Sequence, residues 1–169
     1  MKMKTYLTMF IILFAIIVSV QSCKKDAEGT STDKNLFNEI SSTSGYTYYV
    51  GTPGITPGTG NSPHGFERVR FNSTAQAALD STGKLPSGAS FPTGSIIVKE
   101  IYSSATGSIN LYAIMKKEPG NSSSGSAYLW AEIKPDATVS FSTSKKGDGC
   151  ISCHSGSVYR DLERTFDLH

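Results

Sequence analysis

A C-x-x-C-H motif near the carboxyl end constrains this chain more than any other feature. It reads Cys150-Ile151-Ser152-Cys153-His154. Two thiols one helical turn apart can add to the two vinyl groups on one edge of a porphyrin, and the adjacent histidine can supply an axial nitrogen to the iron. The motif therefore predicts one haem c per chain, attached through Cys150 and Cys153 and ligated by His154.

Two other chemistries use paired cysteines at this spacing. A thioredoxin-like dithiol normally opens a helix in a βαβ unit, which the region around Cys150 does not resemble. A zinc site needs four good ligands, and the histidines outside the motif are His64 and His169. The adjacent His154 favours haem attachment over both alternatives.

The amino-terminal residues resemble a bacterial lipoprotein signal. Lys2 and Lys4 precede an almost wholly apolar run, Leu7 to Val20, and small residues lead to Cys23. This order is typical of a secretory signal. The run is shorter than the ~20 residues that span a bilayer, which argues against an uncleaved membrane anchor. The sequence predicts a signal peptide over residues 1–22 and lipidation of Cys23.

The predicted anchor determines compartment and domain organisation. Residues 23–33 are polar and are interpreted as a flexible tether, followed by a single domain over residues 34–169. Lys24 stands where an aspartate favours inner-membrane retention in some bacteria, which favours the periplasmic side of the outer membrane. One cysteine for lipid and two for haem account for all 3 cysteines, so no structural disulfide is expected.

The charge balance excludes one class of partner. The chain has 16 basic and 14 acidic residues, and two of the basic ones lie in the predicted leader. The remaining chain is therefore neutral, with 16 minus 2 basic against 14 acidic residues. A neutral chain without clustered lysine and arginine gives no support to nucleic-acid binding.

Hydrophobic patterning predicts an α+β fold, with a mostly antiparallel sheet and a few short helices. The sequence predicts a short helix that includes residues 36–40 and is capped by Thr32 or Asp33. A second helix is predicted over residues 75–79, with its cap within residues 72–74, and a closing helix over residues 157–166. Predicted strands are residues 46–50, 67–72, 95–102, 110–116, 127–133 and 138–143. Residues 51–64 are a loop by composition.

From about Glu67 onward, the order of these segments resembles the cytochrome P-460 family, which includes cytochrome c′-beta. The matching parts are the short helix before Phe91–Glu100, the strand Leu111–Lys117, the Trp130 strand, the C-terminal haem motif and the tail Asp161–Phe166. The resemblance implies a homodimeric, β-rich fold with one haem c and His154 as the only strong protein ligand. It also implies an iron face open to small molecules, and a protein of this kind is expected to have a redox partner.

The resemblance implies two possible chemistries. In the enzymes of the family a lysine is cross-linked to the porphyrin, and the iron oxidises hydroxylamine or nitric oxide. The cytochrome c′-beta branch binds gases such as nitric oxide and lacks the cross-link. Lys99 matches the cross-linking lysine. Strand alternation places it with Ile97 and Ile101, where a cation is costly unless it is paired or used. Alternatively, its stem packs and its amine reaches solvent.

The distal residues implied by the resemblance depart from the family pattern. Tyr112 falls where the family has a catalytic acid, and a phenol with a pKa near ~10 is a poor base at neutral pH. The nearest acid, Glu118, lies in a predicted loop. The family's distal arginine corresponds to Arg68 or Arg70. The departure at Tyr112 counts against the enzymatic alternative.

The sixth iron position separates the functional hypotheses. The leading one is binding of a small nitrogen ligand, nitric oxide or hydroxylamine, at an open position. The alternatives are an oxidoreductase with Lys99 cross-linked to the haem, and an electron carrier with Met115 as sixth ligand. Met115 is expected to serve core packing, and His64 in a loop and His169 at the terminus are weaker candidates.

Overall fold

The computed structural model describes residues 29–59, 62–156 and 160–169. The predicted signal peptide and Cys23 lie outside the described residues. The described residues form an α+β fold with one seven-stranded antiparallel sheet and a few short helices, which confirms the predicted fold class. None of the described helices has the length and apolar character that crossing a membrane requires.

The elements follow one another in simple order. In sequence they are α1 (Ser31–Ile40), β1 (Tyr46–Tyr48), β2 (Thr56–Pro57), β3 (Phe66–Asn72), α2 (Ser73–Gln76), β4 (Ile96–Tyr102), β5 (Ile109–Lys117), β6 (Tyr128–Ile133), β7 (Val139–Phe141), a 3-10 turn (Thr143–Lys145), α3 (Cys150–His154) and α4 (Thr165–Leu168). The sheet order is β1-β3-β4-β5-β6-β7, and β2 also pairs with β3.

The strand register divides the sheet into two faces. Ile97 lies opposite Met115, and Met115 lies opposite Trp130. Lys99 lies opposite Val69 on one side and Ala113 on the other. Because directly opposed residues point to the same side of a sheet, these residues define what we call the cavity face. The alternate residues define the helix face, with these members: Arg70, Val98, Ile114 and Ala131.

Helix α1 covers the helix face. Leu36 and Ile40 pack against Val98, Ile114 and neighbouring apolar side chains in one buried cluster. Apolar side chains spaced four residues apart lie on one side of a helix, so this contact follows from the sequence pattern.

The start of α1 differs from the prediction. Its N-cap is Thr30, not Thr32 or Asp33, and Asp33 is the third helical residue of a capping box. The Thr30 hydroxyl accepts a hydrogen bond from the Asp33 amide at 3.1 Å, and the Asp33 carboxylate accepts one from the Thr30 amide at 2.8 Å. Two otherwise unpaired amides are thereby satisfied. The last residues of the expected tether therefore belong to the folded domain.

Asp33 also joins α1 to the residues after β7. Its carboxylate accepts hydrogen bonds from the Ser142 hydroxyl at 2.7 Å and the Thr143 amide at 2.8 Å. Burial raises the pKa of Asp33, but the hydrogen bonds from Thr143, Ser142 and Thr30 lower it more, so its pKa lies below the usual value. The first helix is thus fixed to the far edge of the sheet.

The predicted closing helix over residues 157–166 is wrong in its described part. Residues 160–164 form a turn, in which Asp161 and Leu162 have φ values of 49° and 70°, and the helix begins only at Thr165. Positive φ at two successive residues is incompatible with a right-handed helix. The C-terminal segment instead returns to the cavity face, where the Phe166 ring stacks 5.7 Å from Phe71.

Candidate functional site

A cavity of about 210 Å³ lies on the cavity face, open to solvent at one side. The sheet forms one wall of the cavity. The other walls are α3, part of the loop that contains His64, and the C-terminal residues 163–168. A cavity needs roughly 10–15 Å³ to hold one water molecule. The cavity therefore has room for a bulky organic group rather than for an ion alone.

Two glycines allow α3 to lie close against the sheet. Gly147 and Gly149 have φ values of 74° and 83°, which residues other than glycine rarely adopt. The Gly147 carbonyl accepts the Cys150 and Ile151 amides at 2.9 and 3.0 Å and so begins the helix. A Cβ on Gly147 would lie 2.5 Å from Cδ1 of Trp130. Glycine at this position is what allows the helix to approach the sheet so closely.

Helix α3 presents the two cysteines and the histidine of the motif to the cavity. Cys150, Cys153 and His154 all line it, and both cysteines are free thiols. Burial, followed by the nearby Glu132 carboxylate, raises the pKa of the Cys150 thiol. The reactive cysteine of a redox dithiol has a lowered pKa, because its thiolate is the nucleophile. The thiol environment is therefore the opposite of that expected for a thioredoxin-like couple.

His154 is held as an axial ligand requires. Its Nδ1 lies 2.7 Å from the Leu162 carbonyl oxygen, which can only accept, so Nδ1 carries the proton and Nε2 has a free lone pair. The ring packs edge-to-face on Trp130, with centroids 5.0 Å apart. Burial lowers the pKa of His154, which favours the neutral imidazole. Metal-binding histidines commonly donate their other ring nitrogen to a carbonyl in this way.

The residues present fit a haem c. Two free thiols one turn apart and an oriented imidazole share the wall of one partly apolar cavity. Within residues 29–59, 62–156 and 160–169, no cluster of three or more His, Cys, Asp or Glu side chains is arranged to hold a metal ion. An iron already held by a porphyrin needs only the axial histidine from the protein.

Lys99 lines the same cavity, and of the arrangements that its position allows the structure shows an ion pair. Its Nζ lies 2.9 Å from Oε1 of Glu67, and its side chain is 15% exposed. Nε2 of His169 lies 3.1 Å from the same Glu67 oxygen. The lysine stem therefore faces the cavity while its charge is balanced at the edge of the cavity wall.

The resemblance implied Tyr112 and either Arg68 or Arg70 as distal residues, but none of the three is among the residues that line the cavity. Tyr112 lies opposite Glu100, and both arginines alternate with Val69, so all three side chains belong to the helix face. The residue opposite Lys99 is Ala113. Tyr112 is the adjacent residue on β5, and neighbouring residues of a strand point to opposite faces.

On the helix face Arg70 forms a buried polar network. Its Nε lies 2.8 Å from Oε1 of Glu100, and both side chains are almost completely buried. Arg70 also donates to the carbonyls of Ile40 and Ser42 at 2.6 and 3.0 Å. The Tyr102 hydroxyl donates to Glu100 at 2.7 Å. Arg70 therefore ties the end of α1 to the sheet.

Arg68 and Tyr112 also lie on the helix face. The Arg68 guanidinium lies 3.5 Å from the centroid of the Tyr48 ring, a cation–π contact. Tyr112 packs beside the apolar cluster under α1, and the Arg70 guanidinium is 6.0 Å from its ring centroid. Both residues stabilise the sheet on the side away from the motif.

The sequence does not indicate three ionisable residues that line the cavity, Glu132, Glu163 and Arg164. It offers His64 only as a weaker iron ligand in a loop. Glu132 lines the cavity, and burial raises the pKa of this carboxyl. Alternation from Trp130 could have identified it, since the two residues lie two apart on one strand. His64 also lines the cavity, and burial together with the Lys99 charge lowers its pKa to about 4. Loop composition carries no such signal for His64.

Met115 is both a core residue and a cavity residue. Its side chain belongs to the apolar cluster of the cavity face and also lines the cavity. His64 and Met115 therefore both line the cavity, and each side chain carries an atom that can ligate iron. No protein-family model matches this chain, and no curated protein matches it significantly.

Proposed function

We propose that this protein is an exported, lipid-anchored cytochrome of the P-460 type that carries one haem c. Its iron would bind a small nitrogen ligand, nitric oxide or hydroxylamine, at an open distal position. One observation carries the proposal: α3 presents Cys150, Cys153 and His154 to one cavity, with Nδ1 of His154 held by the Leu162 carbonyl. Lipidation at Cys23 would hold the domain at the periplasmic side of the outer membrane.

Each cavity residue has a defined part in this proposal. Cys150 and Cys153 would bind the porphyrin through thioethers, and His154 would ligate the iron through Nε2. When bound, the haem supplies a coordination site and one-electron chemistry. The protein supplies an apolar part of the cavity wall from Val69 and Ile97.

An optical spectrum of the exported protein, recorded with and without nitric oxide, tests the proposal. We expect a covalently attached haem with a high-spin, five-coordinate ferrous form, and a large spectral change when the gas is added. A spectrum that ignores nitric oxide in both oxidation states contradicts an open site. In that case Met115→Leu and His64→Gln, compared with wild type, would show which side chain fills the sixth position, as an electron carrier requires.

A second function has specific support from the cavity. Lys99 and Glu132 both line it, and the raised pKa of Glu132 makes its carboxylate a better proton acceptor near neutral pH. Oxidation of hydroxylamine or nitric oxide releases protons together with electrons, and the electrons would leave to a redox partner. An oxidoreductase with Lys99 cross-linked to the porphyrin is therefore the alternative.

Peptide mapping of the holoprotein decides the cross-link. If the alternative is right, the proteolytic peptide that contains Lys99 is recovered only in linkage with the haem peptide of Cys150 and Cys153. Lys99→Met should then separate the two peptides while both thioethers remain. Recovery of an unmodified Lys99 peptide from wild type removes the cross-linked enzyme.

A further inference from the structure

The carbonyl that holds His154 lies in an unusual backbone conformation. Leu162 has a φ of 70°, and the preceding Asp161 has a φ of 49°. Aspartate tolerates the left-handed region, but leucine rarely adopts it. Such residues persist only where the surrounding structure holds them, and they concentrate at functional sites.

The Asp161 carboxylate is the anchor of the turn. It accepts a hydrogen bond from the Phe91 amide at 2.7 Å and another from the Tyr128 hydroxyl at 2.7 Å. Nζ of Lys117 lies 2.9 and 3.0 Å from its two oxygens. Lys117 and Tyr128 are directly opposed at the paired ends of β5 and β6. The aspartate is therefore fixed to the paired ends of β5 and β6.

Leu162, the residue after Asp161, connects the anchored turn to His154. The Leu162 carbonyl directly follows the anchored Asp161 and accepts the Nδ1 proton of His154 at 2.7 Å. Hydrogen bonds to the second nitrogen of a ligating histidine set its orientation and its basicity. A change at Asp161 therefore reaches the imidazole through one backbone step.

We propose that Asp161 is a positioning residue for the axial histidine. Anchored by Phe91, Lys117 and Tyr128, it holds the Leu162 carbonyl on Nδ1 of His154 and so sets how strongly the imidazole donates electrons to the haem iron. This inference rests on the proposed haem function. It assigns a role to a residue that is not among those that line the cavity.

The C-terminal segment has separate attachments, so the role of Asp161 can be tested without releasing the segment. Arg160 donates to the Leu85 carbonyl at 2.5 Å, and Lys84 donates to the Phe166 carbonyl. The Phe166 side chain is fully buried in the aromatic cluster. Loss of the Asp161 carboxylate should loosen the turn while the rest of the segment stays packed.

The experiment compares the wild-type holoprotein with Asp161→Ala and Asp161→Asn. Reduction potential is measured, together with the iron–histidine stretching frequency of the ferrous form by resonance Raman spectroscopy. For Asp161→Ala we expect an upward shift of the potential and a downward shift of the frequency, because a weaker hydrogen bond makes the imidazole a poorer donor. Asp161→Asn keeps an acceptor oxygen and tolerates positive φ, so it should recover part of both shifts.

Two further variants complete the test. Asp136→Ala removes a carboxylate that accepts the Thr138 amide at 2.9 Å in an exposed turn, and it should change neither readout. Tyr128→Phe removes one donor to Asp161 without removing the ring, and it should give a smaller shift in the same direction. It serves as the test variant if Asp161→Ala does not fold.

The outcomes separate this inference from the proposed function. A haem-loaded Asp161→Ala protein, or Tyr128→Phe in its place, with wild-type potential and frequency would overturn the positioning role alone. A wild-type protein without covalent haem would overturn the proposed function and this inference together.

Discussion

The double variant Cys150→Ser/Cys153→Ser is expected to lose covalent haem completely. In the exported protein, haem-dependent peroxidase staining on a denaturing gel should fall to background. The physical reason is that thioether formation needs both sulfur atoms on the cavity side of α3, and serine hydroxyls do not add to vinyl groups. Each single variant should keep one thioether and stain at reduced yield.

Ser152→Ala is the matched control for this experiment. Ser152 lies between the two cysteines on α3, is exposed, and its hydroxyl donates only to the Gly149 carbonyl at 3.1 Å. Staining of this variant should equal that of wild type. Persistent staining of the double serine variant would contradict attachment through Cys150 and Cys153.

Glu100→Gln is expected to destabilise the folded protein strongly. The substitution keeps the shape of the side chain but leaves the Arg70 guanidinium, buried under α1, without its counter-charge. Breaking a buried ion pair by removing one partner costs about 3–5 kcal/mol. The free energy of unfolding, measured by urea denaturation of wild type and variant at the same haem loading, checks this value.

Glu39→Gln provides the comparison at the surface. Glu39 pairs with Lys116 at 2.8 Å, but its side chain is 40% exposed. Exposed ion pairs contribute about 0–1 kcal/mol, because water screens them. If Glu100→Gln costs no more than Glu39→Gln, the network around Arg70 does not stabilise the domain as we infer.

Most of the sheet could be predicted from local pattern. The strongest segment, residues 95–102, is rich in β-branched residues and forms β4 (Ile96–Tyr102). The predicted cap within residues 72–74 is also confirmed, since the Asn72 side chain accepts the Ala75 amide, although the helix covers Ser73–Gln76 and not residues 75–79. Caps and strands of this kind depend on neighbouring residues in sequence, so the sequence contains their signal.

The distal candidates required information that local pattern lacks. Alternation correctly separates Arg68 and Arg70 from Val69, but it does not say which side of the sheet faces the motif. The pairing of β4 with β5 decides that Ala113, not Tyr112, lies beside Lys99. Strand register depends on contacts distant in sequence, and one residue of offset exchanges the two faces.

The sequence alone determined the mostly antiparallel sheet and the C-x-x-C-H spacing of Cys150, Cys153 and His154 on which the haem proposal rests, and it placed Lys99 where a cation must be paired or reach solvent. Only the tertiary structure decided that Glu67 pairs with Lys99, that Glu132 and His64 join the cavity wall, and that the Leu162 carbonyl orients His154. The reason is physical: spacing along the chain specifies local geometry, whereas these contacts form only when distant segments pack against one sheet.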